Sequence, residues 1–115
     1  MLHYQFVETE THANVLTRFG YALSDPARTV VLLALRTAPA YPSELADLVG
    51  VSRQKLSNHL ACLRDCGLVA AFPEGLRTRQ ELANPLLAKA LTELLGVVLM
   101  VDPRHCANAA TEGCC

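Results

Sequence analysis

Apolar residues in this chain recur with two periods. Over residues 11–23, Val15, Leu16, Phe19, Ala22 and Leu23 follow the i, i+1, i+4, i+7, i+8 spacing of one helix face. The stretch "SDPAR" then closes that helix and opens another. Asp25 can accept from free backbone N–H groups as an N-cap, and Pro26 loses nothing at the first helical position. The second helix carries "VVLLAL" and stops before Pro39. Pro42 opens a short third helix, "PSELADLVG", closed by Gly50, which can take the left-handed conformation. After "GVS", Ser52 caps a fourth helix that runs to about Cys66 and ends at Gly67.

Two short helices joined by a tight turn containing glycine predict a helix-turn-helix. The next stretch, "LVAAFPEGLRTRQEL", reads as two strands about Glu74-Gly75, a β-hairpin or wing. Within it, Pro73 should occupy a place that donates no ladder hydrogen bond. Asn84-Pro85 starts a last helix, expected over residues 85–101. That helix is apolar around most of its circumference, through Leu86, Leu87, Ala90, Leu91, Leu94, Leu95, Val97, Val98, Leu99 and Val101. A surface helix normally carries one apolar stripe. One small core cannot cover so much, so the pattern predicts a homodimer; a central helix buried in a monomer is the competing reading. The expected fold is mainly α with a small β-hairpin (α+β), a winged helix-turn-helix homodimer. Residues 1–101 form its DNA-binding and dimerisation domain, and residues 102–115 a flexible cysteine-containing C-terminal tail.

The fourth helix separates into faces. With Leu56 at 0° and about 100° per residue, Leu60 falls near 40° and Leu63 near 340°, which defines a core stripe. Arg53, Gln54, Ser57, Asn58 and Ala61 spread over roughly 60–200°. Gln and Asn can pair with adenine and Arg with guanine in a major groove. Together with Ser52 these residues form the candidate reading surface, and Lys55, Arg77 and Arg79 would neutralise phosphates. Cys62 and Cys66 lie near 240° and 280°, with His59 near 300°, so the thiols share a flank away from the DNA side.

Charge sharpens this picture. The chain as a whole carries −1, a poor match to nucleic acid. Residues 51–80, however, hold five basic residues against two acidic ones, a local +3, while the segments on either side are each −2. Locality is what phosphate binding requires; an ordinary solvated surface is the alternative.

The 115 residues suffice for one small domain or subunit, and 51% of them are apolar. "LLGVVLMV" is too short to span a bilayer, and "MLHYQFVETE" lacks the basic start and apolar centre of a secretion signal. A cytoplasmic location is therefore expected, without membrane association. Thiols stay reduced there, and five cysteines suggest metal or redox chemistry before a disulfide framework.

Cys62 and Cys66 stand at i and i+4, where side chains are neighbours. Two small buried residues would be the plain explanation. The polar, alanine-rich tail, however, has little packing use for Cys106, Cys114 and Cys115. Two helix thiolates and one tail thiolate make a three-sulfur site. Soft thiolate ligands favour soft ions over Mg²⁺ or Ca²⁺, and structural zinc usually wants four donors. Cd(II), Pb(II), Hg(II) and As(III) fit better, with His59 or His105 as an alternative completing donor. A thiol redox switch on the same scaffold is a second reading. No Cys-x-x-Cys, Ser-His-Asp set or phosphate-binding glycine loop points to an enzyme.

The succession "SDPAR", "ELADLVGVS", "LSNHLACLRDCGLV" and "EGLRTRQEL" resembles the ArsR/SmtB family of metal-responsive repressors over residues 13 to about 101. The resemblance implies a winged helix-turn-helix homodimer with the first and last helices at the interface. Its operator-bound form would block transcription and leave DNA when metal binds. Within the family, the chain is similar to the cadmium- and lead-sensing CmtR group. There, two cysteines of the DNA-reading helix join a third from the C-terminal segment of the other subunit. Cys62, Cys66 and Cys106 match those positions. The family's histidine at His59 occurs across differing sensing sites, which argues against its being a ligand. The third helix lacks the cysteine pair of many arsenic and cadmium sensors, and the last helix lacks the histidine pattern of zinc and nickel sensors. Leu76 stands where arginine is frequent, and Cys114 and Cys115 have no counterpart.

Overall fold

The structure is a computed structural model that describes the backbone of residues 2–100 and the side chains of residues 10–100. Five helices and one hairpin follow in order: α1 (Leu2–Leu23), α2 (Pro26–Thr37), α3 (Pro42–Val49), α4 (Arg53–Asp65), β1 (Val69–Glu74), β2 (Arg77–Leu82) and α5 (Pro85–Leu99). The winged helix-turn-helix expected from the pattern is present. The largest boundary shift is in α1, which begins at Leu2 rather than near residue 11, because "LHYQFVETE" contains no proline or glycine to interrupt the helix; α5, expected over residues 85–101, ends at Leu99. The tail expected at residues 102–115 lies outside the described residues.

The element ends follow their chemistry. The Asp25 carboxylate accepts from the Ala27 N–H at 2.8 Å and the Arg28 N–H at 3.3 Å at the start of α2. Ser52 Oγ accepts from the Lys55 N–H at 3.1 Å at the start of α4, and Asn84 Oδ1 accepts from the Leu86 N–H at 2.9 Å at the start of α5. Helix α4 closes with a paired C-terminal motif: the Leu68 N–H donates to the Leu63 carbonyl at 3.0 Å, and the Gly67 N–H to the Arg64 carbonyl at 2.9 Å. Gly67 makes this possible at φ 78°. A Cβ added there meets nothing within 4 Å, so the cost of Gly67→Ala is purely that of left-handed backbone, about 1–2 kcal/mol. Thermal unfolding of that variant at fixed protein concentration should show the loss directly, and an unchanged midpoint would contradict this account of the turn.

The hairpin pairs Val69 with Leu82 through Glu74 with Arg77. Its turn is Gly75-Leu76, one residue later than expected. Gly75 sits at φ 63° and no other residue of the hairpin has positive φ, which is how a two-residue hairpin turn of the II′ kind uses glycine first. Gln80 exchanges two backbone hydrogen bonds with Ala40, at 2.8 and 3.1 Å, on the side of β2 away from β1. In an antiparallel ladder this puts Ala71–Gln80 and Pro73–Thr78 at non-hydrogen-bonded pairs. Pro73 therefore has no ladder bond to donate, as anticipated, and it blunts the outer edge of β1.

Leu56, Leu60 and Leu63 of α4 enter the core with Ala22, Val31, Leu32, Leu35, Leu45, Ala46, Val69 and Leu91. The α4 stripe is thus the one the sequence predicts. Helices α1 and α5 behave differently. Of the α1 stripe, Ala22 is buried but Val15 and Leu16 are exposed. Along α5 only Leu91 is buried, whereas Leu86, Leu94, Val97, Val98 and Leu99, and Met100 just past its end, stand open. Among the described residues, no helix is long and apolar enough to cross a membrane.

Candidate nucleic-acid interface and thiol site

Burying Leu56, Leu60 and Leu63 fixes the rotation of α4 and leaves Ser52, Arg53, Gln54, Lys55, Ser57 and Asn58 exposed. All six residues expected at the recognition surface therefore project from one end of the helix. Gln54 Nε2 donates to Asn58 Oδ1 at 3.2 Å, so the two amides lie on one face one turn apart, each with groups left for a base edge.

Cys62 and Cys66 occupy the flank. Both thiols are free and half-buried, and the Cys66 thiol is within hydrogen-bonding reach of the Cys62 sulfur. Burial pushes the Cys66 pKa up, with the neighbouring Cys62 adding to the rise; Arg18 of α1 and Arg28 of α2 pull the other way. Two sulfurs side by side suit a soft cation that displaces both protons. Cys66 also lines a groove of about 280 Å³ with Val15, Leu16, Arg18, Phe19 and Leu87, between α1 and α5. Among the described residues no three His, Cys, Asp or Glu side chains gather to hold a metal ion. The pair thus supplies two donors, and Cys106 and His105 lie outside the described residues, as do Cys114 and Cys115.

His59 lies inward on α4. Its side chain is buried, Nε2 has no hydrogen-bond partner, and the nearest carboxylate oxygen, Asp25 Oδ1, is 3.9 Å away. Asp25 is committed to capping α2. Burial opposes its charge, but the Arg28 and Ala27 N–H groups and the nearby His59 and Arg28 hold its pKa below the usual value. Arg28 ties the α1–α2 corner together: Nε donates to the Ala22 carbonyl at 3.0 Å and Nη2 to the Tyr21 carbonyl at 2.9 Å.

The wing arginines differ from one another. Arg77 lies over the Tyr41 ring, its guanidinium carbon 3.3 Å from the ring centre, with Glu44 only at 4.0 Å between two well-exposed side chains. Arg79 Nη1 donates to Glu74 Oε2 at 2.7 Å, Nε donates to Glu81 Oε2 at 3.4 Å, and the guanidinium covers Phe72. Tyr41 donates its hydroxyl to Glu74 Oε1 at 2.7 Å. The Tyr41 and Arg79 bonds hold the Glu74 pKa below the ordinary glutamate value, and Glu74 in turn raises that of Tyr41 and Arg79. Sequence reasoning missed Tyr41, Glu74 and Gln80. Gln80 is buried at the wing base, where Arg64 Nη1 of α4 reaches its Oε1 at 3.5 Å. Cross-strand register would have paired Glu74 with Arg77 but gives no sign of Tyr41, which comes from a distant turn.

A recognition helix with an exposed polar face, packed on a second helix and followed by a short wing, defines a winged helix-turn-helix transcriptional regulator. The chain belongs to the arsR family of bacterial regulatory proteins, whose pattern its residues 25–71 match. It is 50% identical over 93 residues to the HTH-type transcriptional regulator CmtR of Mycobacterium tuberculosis, covering 81% of this chain and 79% of that protein. It is 33% identical over 105 residues to a probable mercury resistance operon repressor of Streptomyces lividans, covering 91% and 78%. The fold aligns with an NMR structure described as the cadmium metal-sensor CmtR from M. tuberculosis, with a TM-score of 0.61, 51% identity and coverage of 75% of this chain and 90% of that one.

Proposed function

We propose that this regulator is a cytoplasmic, homodimeric repressor that leaves its operator when a thiophilic cation binds Cys62, Cys66 and Cys106. The observation that carries the reading is the placement of two adjoining thiols on the flank of the helix whose opposite face is free for DNA. Ser52, Arg53, Gln54, Lys55, Ser57 and Asn58 meet the major groove and its phosphates, with the hairpin that carries Arg77 and Arg79 alongside. The exposed apolar surfaces of α1 and α5 are covered by a second copy. The groove beside Cys66 runs between these same two helices, so a tail crossing from the partner has a short route to the thiol pair.

Ligation of thiols on α4 to a donor on another segment restrains the helix in a position that fits DNA poorly. Linkage then requires the operator to weaken cation binding by the same factor, about 5- to 150-fold for common couplings. Cd(II) and Pb(II) are the favoured ions. Two relatives named for cadmium sensing and mercury resistance support a thiophilic effector and keep Hg(II) and As(III) as alternatives.

Anaerobic titration of reduced protein on labelled duplex from upstream of its own gene tests the reading. The expected result is release at one cation per thiol site, with sulfur-to-metal charge-transfer absorption growing in step for Cd(II) or Pb(II). Release by peroxide alone, with the metals inert, would instead select the thiol redox switch.

A further inference from the structure

We propose that Arg77, laid across the Tyr41 ring, is the residue of the wing that binds phosphate, whereas Arg79 is a positioning residue that neutralises Glu74 and Glu81 and does not touch DNA. This division of labour rests on the repressor reading given above and refines its wing.

The two arginines are alternate residues on the same strand and look equivalent in sequence. Their surroundings separate them. Arg79 makes two bonds to carboxylates, the shorter at 2.7 Å, and packs on Phe72. Charge-assisted bonds of that length are among the stronger polar interactions a surface offers. Moving Arg79 to a phosphate would break both and expose the Glu74 and Glu81 charges beside the DNA backbone, where like charge repels. Neutralising Glu74 at the wing tip is therefore worth more to DNA binding than one further cation facing outward.

Arg77 has no such commitment. Its closest carboxylate is Glu44 at 4.0 Å, with both side chains more than half exposed, and such pairs hold weakly. Stacking on Tyr41 limits its rotamers while leaving its N–H groups available. Tyr41 is fixed in turn by its own hydroxyl bond to Glu74, just before α3. The carboxylate that Arg79 neutralises thus also anchors the aromatic platform of Arg77. In this arrangement the positive charge expected on the wing reduces to one outward guanidinium.

The test measures operator affinity against salt concentration for the full-length metal-free dimer. Removing one cation from a phosphate lowers the slope of log affinity on log salt by about 1. Arg77→Gln takes one cation from each of the dimer's two wings, so it is expected to lower the slope by about 2 and to weaken binding roughly tenfold or more. Arg79→Gln alone should weaken binding, whereas the pair Glu74→Gln with Arg79→Gln should return to wild-type affinity and slope, since the wing then carries the same net charge. Tyr41→Ala should weaken binding only when Arg77 is present, and Tyr41→Phe, which keeps the ring, should restore most of it. A Glu74→Gln/Arg79→Gln protein that stays as weak as Arg79→Gln, with the slope of the dimer lowered by about 2, would show Arg79 on a phosphate and overturn the proposal. Failure of wild type to bind any duplex tiling its upstream region at low salt would overturn the repressor reading and this refinement with it, whereas wild-type binding with equivalent arginines would sink the refinement alone.

Discussion

A Cys62→Ser/Cys66→Ser protein is expected to bind its operator about as tightly as wild type and to stay there when Cd(II) or Pb(II) is added. Neither thiol belongs to the buried α4 stripe of Leu56, Leu60 and Leu63, and neither belongs to the exposed set from Ser52 to Asn58. Serine keeps their size and removes the soft donor. The helix should therefore keep its rotation and its DNA face. For wild type, saturating cation should weaken operator binding by about 5- to 150-fold, the span of ordinary couplings; for the variant the ratio should fall to about 1. Fluorescence anisotropy with and without metal reads both quantities. Weak binding already without metal would mean that the thiols support the helix itself, and a preserved metal response would mean that the ion acts elsewhere.

Val98→Asp is expected to convert the protein to a monomer and to lower operator affinity by about 10²- to 10⁴-fold. Val98 is 57% exposed within one chain and lines an apolar groove with Leu23, Leu33, Leu91, Leu94 and Leu95. Leu91 is the one α5 residue buried in the chain's own core among the described residues, so a charge at Val98 leaves that core intact. A partner pressing on α5 would have to bury the new carboxylate without a counter-charge, which is prohibitive for a small interface. Operator binding suffers because the second half-site is no longer reached intramolecularly, and that gain is commonly in this range. Light scattering gives the mass and anisotropy the affinity. A Val98→Asp protein that remained dimeric would place the interface off α5.

The sequence carries the fold through punctuation. Asp25-Pro26, Ser52, Asn84-Pro85 and the glycines at 50, 67 and 75 all sit at element ends, and each acts through its own backbone or the adjacent three residues. Such local signals survive without knowledge of tertiary contacts. The start of α1 is hidden because residues 2–10 hold no proline or glycine to mark a helix end, so periodicity alone has to mark its beginning. The α4 faces are legible for a related reason: a single leucine stripe sets the helix rotation, and every other residue's direction follows from it.

What stays hidden depends on distant residues. In sequence Glu74 belongs to a turn and Tyr41 to an ordinary position before a helix, yet their hydroxyl–carboxylate bond spans 33 positions. The different commitments of Arg77 and Arg79 follow from that bond, and no strand pattern encodes them. His59 is likewise ambiguous in sequence, because its angle near the edge of the core stripe allows either packing or an outward donor; the structure turns it inward beside Asp25. The thiol pair itself is visible from spacing, since i and i+4 must be neighbours on a helix, but the Arg18 and Arg28 charges beside Cys66 come from α1 and α2 and have no local signal.

X-ray absorption at the cadmium edge, on reduced protein loaded with one equivalent of Cd(II) per chain, counts the sulfur atoms around the ion. Three are predicted for wild type, with one fewer after Cys106→Ser. A shell of oxygen and nitrogen donors, or a sulfur count that Cys62→Ser/Cys66→Ser leaves unchanged, would contradict a cation held by the reading helix.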